Sequence, residues 1–234
     1  MIRLIELFAG IGAQAKALEN LGVEFEHYRI IENDRFAVAS YNAVHKTDFK
    51  PLDITKIKGS DLGIADTYIH TYILTYSFPC TDISVAGKMQ GYAPDSKTRS
   101  SLLWEVKRLL SECNELPQVL LMENVPQVHS KQNMQYFQQW LSVLSDFGYR
   151  SFWKDLNAKD FGVAQSRNRC FLVSFLNKNI NFSFPQSMKL DKTMKDYLED
   201  EVEDKFYINS DRARKMIDKL VIDGKVPLAD GRGG

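Results

Sequence analysis

Among the segments whose side chains can do chemistry, one is built around a cysteine. The run Ser77-Phe78-Pro79-Cys80 follows the strand-like residues 69–76 and precedes a segment that contains two glycines. A lone cysteine is usually a small, buried hydrophobic residue. At the end of a strand and before a glycine-containing loop, it can instead serve as a nucleophile once its thiol is activated. This position favours covalent catalysis at Cys80.

Charged side chains accompany two further predicted strands. Glu123 ends the buried run 119–122, and Arg167 and Arg169 precede the strand-like run 170–176. A glutamate there either caps a turn or exchanges a proton or hydrogen bond with a substrate. Arginines two residues apart share one face of a strand. They form either a solvated face or a pair that holds a polar ring or a phosphate.

A glycine turn follows the first predicted strand. Phe8-Ala9-Gly10-Ile11-Gly12 lies between a strand at 3–8 and a helix at 13–21, and Glu32 ends the next strand. Glycines in such a turn let a ligand approach the backbone, and an acidic residue on the second strand can bind ribose hydroxyls. By itself the turn is equally consistent with a plain tight turn. Together with Glu32 it predicts a cofactor that contains a nucleoside.

The elements that must position these residues alternate between strand and helix. Alternation of this kind predicts an α/β fold with a doubly wound, mostly parallel sheet. Ligands bind at the carboxyl ends of the strands in such sheets, which is where the three candidate segments fall. We predict strands at 3–8, 25–31, 69–76, 119–122, 150–155 and 170–176, and helices at 13–21, 35–44, 101–113 and 133–147.

Composition limits the possible classes of protein. The 234 residues carry no net charge, so any surface that binds phosphates must be local. The three cysteines form no CxxC pair and the four histidines stand singly, so we expect no metal site. No apolar run is long enough to span a membrane and no secretory leader is evident, which predicts a cytoplasmic or nucleoid-associated protein.

In order along the chain, these segments resemble the motifs of the cytosine-C5 DNA methyltransferase family. The glycine turn is similar to its first cofactor motif, and Pro79-Cys80 to its catalytic Pro-Cys motif. Glu123-Asn124-Val125 and Gln165-x-Arg167-x-Arg169 match two more. The resemblance covers about residues 2–176. It implies a Rossmann-like S-adenosylmethionine-dependent methyltransferase fold that acts on double-stranded DNA, in a restriction-modification or phage-encoded setting, without a metal.

The resemblance also implies roles for matched positions. Cys80 attacks C6 of a cytosine, Glu123 binds N3 and the exocyclic amine, and Arg167 and Arg169 hold the ring oxygen and support the catalytic loop. Residues 81–100 form a mobile lid. The residues expected to bind S-adenosylmethionine, and the product S-adenosylhomocysteine, are Phe8, Gly10, Ile11, Gly12, Glu32, Asn33, Asp53, Ile54, Phe78, Pro79 and Leu102.

The sequence departs from the family pattern in two places. Thr81 stands where the family usually has glutamine, which alters loop contacts rather than chemistry. No Asn-x-Val motif follows residue 176. We therefore expect a catalytic and cofactor-binding domain at 1–176 and a partial target-recognition region at 177–234. The chain is then a fragment, a truncated product, or one subunit of an enzyme whose second chain supplies the C-terminal motifs.

Two other functions compete with this interpretation. A binding module without turnover fits the missing C-terminal motif. An RNA cytosine methyltransferase fits because a related branch with similar motifs modifies transfer RNA. A nicotinamide-dependent dehydrogenase shares the glycine turn and Glu32 but explains none of the other motifs.

Overall fold

The computed structural model describes residues 1–83, 91–94, 96–208 and 210–224. The chain divides into two compact units, Met1–Asp191 and Lys192–Gly234. The first unit contains strands β1 (Ile2–Leu7), β2 (Phe25–Ile31), β3 (Thr71–Tyr76), β4 (Val119–Asn124), β5 (Arg150–Asn157) and β6 (Asn168–Phe175), and helices α1 (Ala13–Asn20), α2 (Arg35–His45), α3 (Leu103–Glu112) and α4 (Met134–Asp146).

The six strands form one sheet in the order β2-β1-β3-β4-β6-β5. Strands β1 to β4 are parallel, whereas β6 is antiparallel to both β4 and β5. The predicted mostly parallel sheet is therefore confirmed. Because β6 is reversed, its amino end lies at the edge where β3 and β4 end. The reversal thus brings the arginines before and within β6 to the carboxyl edge of the parallel strands.

Helices cover the sheet from both sides. Leu4 of β1 packs in a core cluster with Ala15 of α1 and Tyr41 of α2. The next residue, Ile5, belongs to a second cluster that contains side chains of α3 and α4, among them Trp140. Because successive side chains of a strand point to opposite faces, the two clusters lie on opposite sides of the sheet. This arrangement confirms the doubly wound architecture.

Local capping fixes two of the turns that border the site. The carboxylate of Asp34 accepts hydrogen bonds from the backbone N–H groups of Phe36 (2.8 Å) and Ala37 (3.3 Å) and so begins α2 directly after Glu32. Thr98 caps the 3₁₀ turn Arg99–Leu102, which leads into α3. A cap of this kind typically stabilises a helix by about 1 kcal/mol. Both caps anchor loops at the carboxyl edge of the sheet.

The compact first unit continues beyond residue 176 because Phe182 packs on the last two strands. Its ring centroid lies 5.6 Å from that of Phe152 and 5.4 Å from that of Phe175. Packing therefore divides the chain after Asp191. The predicted boundary between residues 176 and 177 separates a catalytic and cofactor-binding domain from a partial target-recognition region, and it stays a prediction.

The second unit, taken by itself, contains two 3₁₀ turns, Met194–Tyr197 and Asp204–Phe206, and helix α5 (Asp211–Ile222). Ser210 begins α5 by accepting a hydrogen bond from the backbone N–H of Ala213 (3.2 Å). Within the part of the chain that is described, no helix is long and apolar enough to cross a bilayer.

Candidate active site

A cavity of about 360 Å³ lies beyond the carboxyl ends of β1, β2 and β3. Most of the residues predicted to bind the cofactor line it: Phe8, Glu32, Asn33, Asp53, Ile54, Pro79 and Leu102. The sequence had not assigned a cofactor role to the remaining lining residues, which are Ile31, Asp34, Leu52, Ser77 and Arg99. Acidic side chains at one end and apolar side chains along the wall suit a ligand with a polar sugar and a flat, apolar ring.

Glu32 is held in a fixed orientation inside this cavity. One carboxylate oxygen accepts the N–H of Gly10 at 3.0 Å, and the other accepts the N–H of Asp34 at 2.9 Å. Its backbone carbonyl accepts the N–H of Leu52 at 2.8 Å. Each carboxylate oxygen can accept a further hydrogen bond. The carboxylate is therefore fixed in the lining of the cavity and can still accept hydrogen bonds from hydroxyl groups.

The glycine turn has a packing function that the sequence did not indicate. Gly12 has a φ of 82°, and a Cβ there would lie 2.3 Å from Nε2 of His45 and 2.6 Å from the ring of Tyr41. Gly12 is thus required by the approach of α2, and its predicted contact with a cofactor stays a prediction. At Gly10 (φ 54°) a Cβ would meet nothing within 4 Å. Its N–H is the group that contacts Glu32.

The predicted cofactor residues outside the cavity lining are Gly10, Ile11, Gly12 and Phe78. Gly10 and Ile11 line a second cavity, of about 580 Å³. Phe78 is buried and packs on Tyr92, with ring centroids 5.8 Å apart. The phenylalanine of the Pro-Cys segment is therefore a core residue.

The loop that carries Asp53 and Ile54 is braced by α3. The guanidinium of Arg108 donates hydrogen bonds to the carbonyls of Ile54 (2.9 Å) and Ile57 (3.0 Å). Glu105 and Glu112 hold the same guanidinium at 2.8 and 2.9 Å. In the sequence, Arg108 has the spacing of ordinary helix-surface ion pairs, so nothing there points to its contact with the loop.

Asp53 itself forms a local turn. Its carboxylate accepts hydrogen bonds from the backbone N–H and the hydroxyl of Thr55, at 3.0 and 2.8 Å. These bonds, the backbone one foremost, lower the pKa of Asp53 below its ordinary value. The side chain is therefore charged at neutral pH and can accept a hydrogen bond from an adenine amine or a sugar hydroxyl.

The turn that carries Cys80 is tied to residues from the far end of the following segment. The hydroxyl of Ser100 donates to the carbonyl of Pro79 at 2.6 Å. The carboxylate of Asp82 accepts the N–H of Ser100 at 3.1 Å, and the N–H of Asp82 donates back to the Ser100 hydroxyl at 3.2 Å. Asp82 and Ser100 are both buried. Together these hydrogen bonds fix the backbone on either side of Cys80.

Asn124 supplies a second tie to the same turn. Its side-chain N–H donates to the carbonyl of Phe78 at 3.0 Å, and its side-chain oxygen accepts the N–H of Val125 at 2.8 Å. The side chain is buried. The sequence marked Asn124 only as part of the matched motif. In the structure it links the end of β4 to the turn after β3.

Parts of the predicted lid at 81–100 are buried in the structure. Ile83 and Tyr92 are buried core residues. The hydroxyl of Tyr92 donates to the carbonyl of Val128 (2.8 Å), and its own carbonyl accepts the indole N–H of Trp104 (2.8 Å). These residues pack as core because they bridge α3 and the turn after β4. Residues 84–90 and 95 of the predicted lid lie outside the described residues.

Glu123, Arg167 and Arg169 meet at the carboxyl edge of the parallel strands. The Glu123 carboxylate lies 3.0 Å from Nε of Arg169 and 3.8 Å from Nη2 of Arg167. Arg169 and Glu123 are each 22% exposed, whereas Arg167 is 51% exposed. Arg169 thus orients the carboxylate, and Arg167 remains open to a ligand.

The two cavities adjoin one another. Glu123 and Arg167 line the second cavity, and Phe8 and Ser77 line both. A ligand held by Glu32 in the first cavity and one held by Glu123 in the second therefore lie on either side of the same strand ends. The end of β3, which leads to Cys80, runs between them. Cys80 is half-buried and lines neither cavity, but it directly follows Pro79, which lines the first.

Comparison with known proteins agrees with this geometry. The family model for C-5 cytosine-specific DNA methylase matches residues 2–225. The chain is 33% identical to the type II methyltransferase M2.ScrFI of Lactococcus lactis subsp. cremoris, over 91% of the chain and 71% of the relative. It is 32% identical to the orphan methyltransferase M.SssI of Spiroplasma monobiae, over 89% and 68%.

The fold is shared with solved structures as well. The crystal structure of the Dnmt2 methyltransferase of S. pombe superposes with a TM-score of 0.72 at 22% identity, covering 94% of this chain and 66% of that one. The chain therefore spans between two thirds and three quarters of the two relatives and slightly less than two thirds of this structure. On the match to the family model and to these relatives, the chain belongs to the C-5 cytosine-specific DNA methylase family.

Proposed function

We propose that this chain carries the catalytic machinery of a DNA (cytosine-5-)-methyltransferase, which moves a methyl group from S-adenosylmethionine to C5 of a cytosine. The observation that carries the proposal is the meeting of three strand ends. The Cys80 turn after β3, Glu123 at the end of β4 and the arginines of β6 share one edge, beside the cavity that contains Glu32.

The proposed reaction follows from the electronic structure of cytosine. C5 is a poor nucleophile until the ring is activated. The Cys80 thiolate adds to C6 while the Glu123 carboxyl donates a proton to N3 and contacts the exocyclic amine, and the ring then becomes an enamine that is nucleophilic at C5. After the methyl group is transferred, a base removes the C5 proton and the thiolate leaves C6. The double bond is restored and the enzyme is regenerated.

The residues of the first cavity fit the proposed methyl donor. Glu32 would bind the ribose hydroxyls and Asp53 with Ile54 the adenine edge, while Phe8, Pro79 and Leu102 would form the wall. S-adenosylmethionine supplies an activated methyl group on a sulfonium and leaves as S-adenosylhomocysteine. The fixed orientation of the Glu32 carboxylate supports this assignment.

The substrate base must leave the DNA helix. C5 and C6 of a stacked cytosine are out of reach of a thiol in a pocket, so the base has to be flipped out of the duplex. Arg167, half exposed at the mouth of the second cavity, is available to hold the flipped ring. We place the reaction on chromosomal or phage DNA in the cytoplasm or nucleoid, within a restriction-modification or phage setting.

The covalent step gives the sharpest test. DNA with 5-fluorocytosine traps the adduct, because fluorine at C5 cannot be removed as a proton. We expect a stable protein–DNA adduct with S-adenosylmethionine in the wild type and in Cys113→Ala, and none in Cys80→Ala. Cys113 is the matched control because it is also half-buried. An adduct that persists in Cys80→Ala would refute the assignment of the nucleophile.

A methyl-transfer assay separates the substrate classes. The chain is incubated with methyl-labelled S-adenosylmethionine and either DNA or RNA, alone and with a candidate second chain that supplies the C-terminal motifs. Label in DNA that Cys80→Ala abolishes supports the proposal. Label in RNA alone would overturn the DNA assignment. Cofactor binding without any transfer, even with the second chain, would favour a binding module.

A further inference from the structure

Three metal-ligating side chains from three different elements meet behind the glycine turn. Glu19 lies in the last turn of α1, His27 in β2 and His45 at the end of α2. Their ligand atoms all lie within 4.8 Å of one another. One carboxylate oxygen of Glu19 is 2.7 Å from Nδ1 of His45 and 3.7 Å from Nε2 of His27.

The surrounding hydrogen bonds determine which ring nitrogens carry protons. The hydroxyl of Tyr41 donates its single proton to the buried Glu6 carboxylate at 2.6 Å. Its oxygen therefore accepts from Nδ1–H of His27, 2.9 Å away. With the proton on Nδ1, neutral His27 presents a bare Nε2 toward Glu19.

The same reasoning applies to His45. Its Nε2 lies 3.2 Å from the carbonyl oxygen of Ile11, which can only accept a hydrogen bond, so Nε2 carries the proton. Neutral His45 then presents a bare Nδ1 to the same oxygen of Glu19. Two bare nitrogens and one carboxylate oxygen thus converge. Such a convergence needs a cation, either protons on the imidazoles or one metal ion.

A metal ion satisfies all three groups at once. Bond lengths of 2.0–2.2 Å in a tetrahedral zinc site place ligand atoms ~3.3 Å apart. The Glu19 oxygen lies 2.7 and 3.7 Å from the two histidine nitrogens, which are within 4.8 Å of each other. Metal-binding histidines usually donate their other N–H to an oxygen, as both do here.

We propose that Glu19, His27 and His45 bind one divalent zinc ion, with water in a fourth position. The His45 side chain is fully buried, whereas His27 and Glu19 are 19% and 30% exposed, so the site opens to solvent on one side. The ion would join α1, β2 and α2 and hold the carbonyl of Ile11 in the glycine turn. Its role is structural and does not depend on the proposed methyl transfer.

Metal titration of the whole chain tests the site. Metal-stripped protein is titrated with zinc by calorimetry, and its melting temperature is measured with and without zinc. We expect one bound ion and a higher melting temperature in the wild type. In Glu19→Gln and His27→Gln, binding should weaken by more than about tenfold, since even the loss of an outer-shell partner costs that much. Glu24→Gln, an exposed glutamate nearby, is the matched control and should bind as the wild type does.

Cobalt distinguishes this site from a competing cluster. His129, Asp155 and Cys170 also lie close together, but burial raises the pKa of Cys170 to about 12, which disfavours a thiolate ligand. Cobalt in the proposed site should show d–d bands without a thiolate charge-transfer band, in both the wild type and His129→Gln. No binding by the wild type, equal binding by Glu19→Gln, or a thiolate band would each overturn the proposal. Glu19 is partly exposed, so its variant stays informative if His27→Gln fails to fold.

Discussion

Replacing Asn124 with alanine tests whether the end of β4 positions the nucleophile. The side chain donates to the carbonyl of Phe78 at 3.0 Å and accepts from the N–H of Val125 at 2.8 Å. Alanine removes both partners in a place that is only 3% exposed. Each buried polar group left without a partner costs about 1–3 kcal/mol, so the loss of both contacts should lower the free energy of unfolding by about 2–6 kcal/mol.

The expected effect on catalysis is separate from the effect on stability. The Phe78 carbonyl lies two residues before Cys80, so its release lets the turn shift. A displacement of a reacting group by about 1 Å can cost about 100-fold in rate. The assay is the rate of adduct formation with 5-fluorocytosine DNA in a single turnover, at a temperature where circular dichroism shows the variant to be folded.

Asn133 provides a matched control. It is also buried, and its side chain donates to the carbonyl of Gln127 at 2.8 Å, in the turn before α4. Asn133→Ala should lose about 1–3 kcal/mol of stability and keep the wild-type rate. If Asn124→Ala forms the adduct at the wild-type rate, or if Asn133→Ala is slowed equally, then Asn124 does not position the cysteine.

Three further outcomes follow from the structure. Gly12→Ala should lower the free energy of unfolding in urea by well over ~2 kcal/mol, because of its positive φ and the contact with His45. Gly10→Ala should lower it only by the ~1–2 kcal/mol that a positive φ costs. Equal losses in the two variants would contradict this. Arg108→Ala should weaken S-adenosylmethionine binding about tenfold at unchanged kcat, with partial recovery in Arg108→Lys. Hydrogen bonds from Lys16, then His45, lower the pKa of Glu19 to about 2 from 4.5. The stabilisation of the folded state by the Glu19 carboxylate is therefore complete above pH 4.5 and lost as pH falls toward 2. In buffer that contains a metal chelator, the free energy of unfolding of Glu19→Gln should depend less on pH over this range than that of the wild type.

The secondary structure was predictable because its signals are local. The strand 25–31 was predicted with the bounds that the structure has, and the other strands and helices α1 to α4 to within a few residues, whereas α5 was not predicted. Alternation of strand and helix then determined the parallel sheet and the edge where ligands bind. The meeting of Glu123 with Arg167 and Arg169 depends instead on the reversal of β6, because in a parallel strand residues that precede the strand would lie at the opposite edge of the sheet.

The supporting residues were not predictable, because they act on backbone carbonyls far along the chain. Arg108 braces the carbonyl of Ile54, Ser100 that of Pro79, and Asn124 that of Phe78. A carbonyl is present at every residue, so the partner of such a contact leaves no mark in the sequence. The sequence shows only the side chain that donates. Arginines in helices and serines in loops are common, so their presence alone does not predict such a contact.

Gly12 shows the same limit from the opposite direction. A glycine in a strand-to-helix turn predicts that something approaches its backbone closely, and this is what the structure has. The sequence suggested a ligand, because ligands are the usual neighbours of such turns. The structure adds His45 as a neighbour, and this side chain contacts the carbonyl of Ile11 through one ring nitrogen and Glu19 through the other. Contacts on both sides thus fix the glycine turn. The Glu32 carboxylate accepts the N–H of Gly10 beside the first cavity, and His45 contacts the carbonyl of Ile11 beside α2. A substitution at His45 should therefore disturb cofactor binding without touching the cofactor, through the backbone of Ile11 and Gly12.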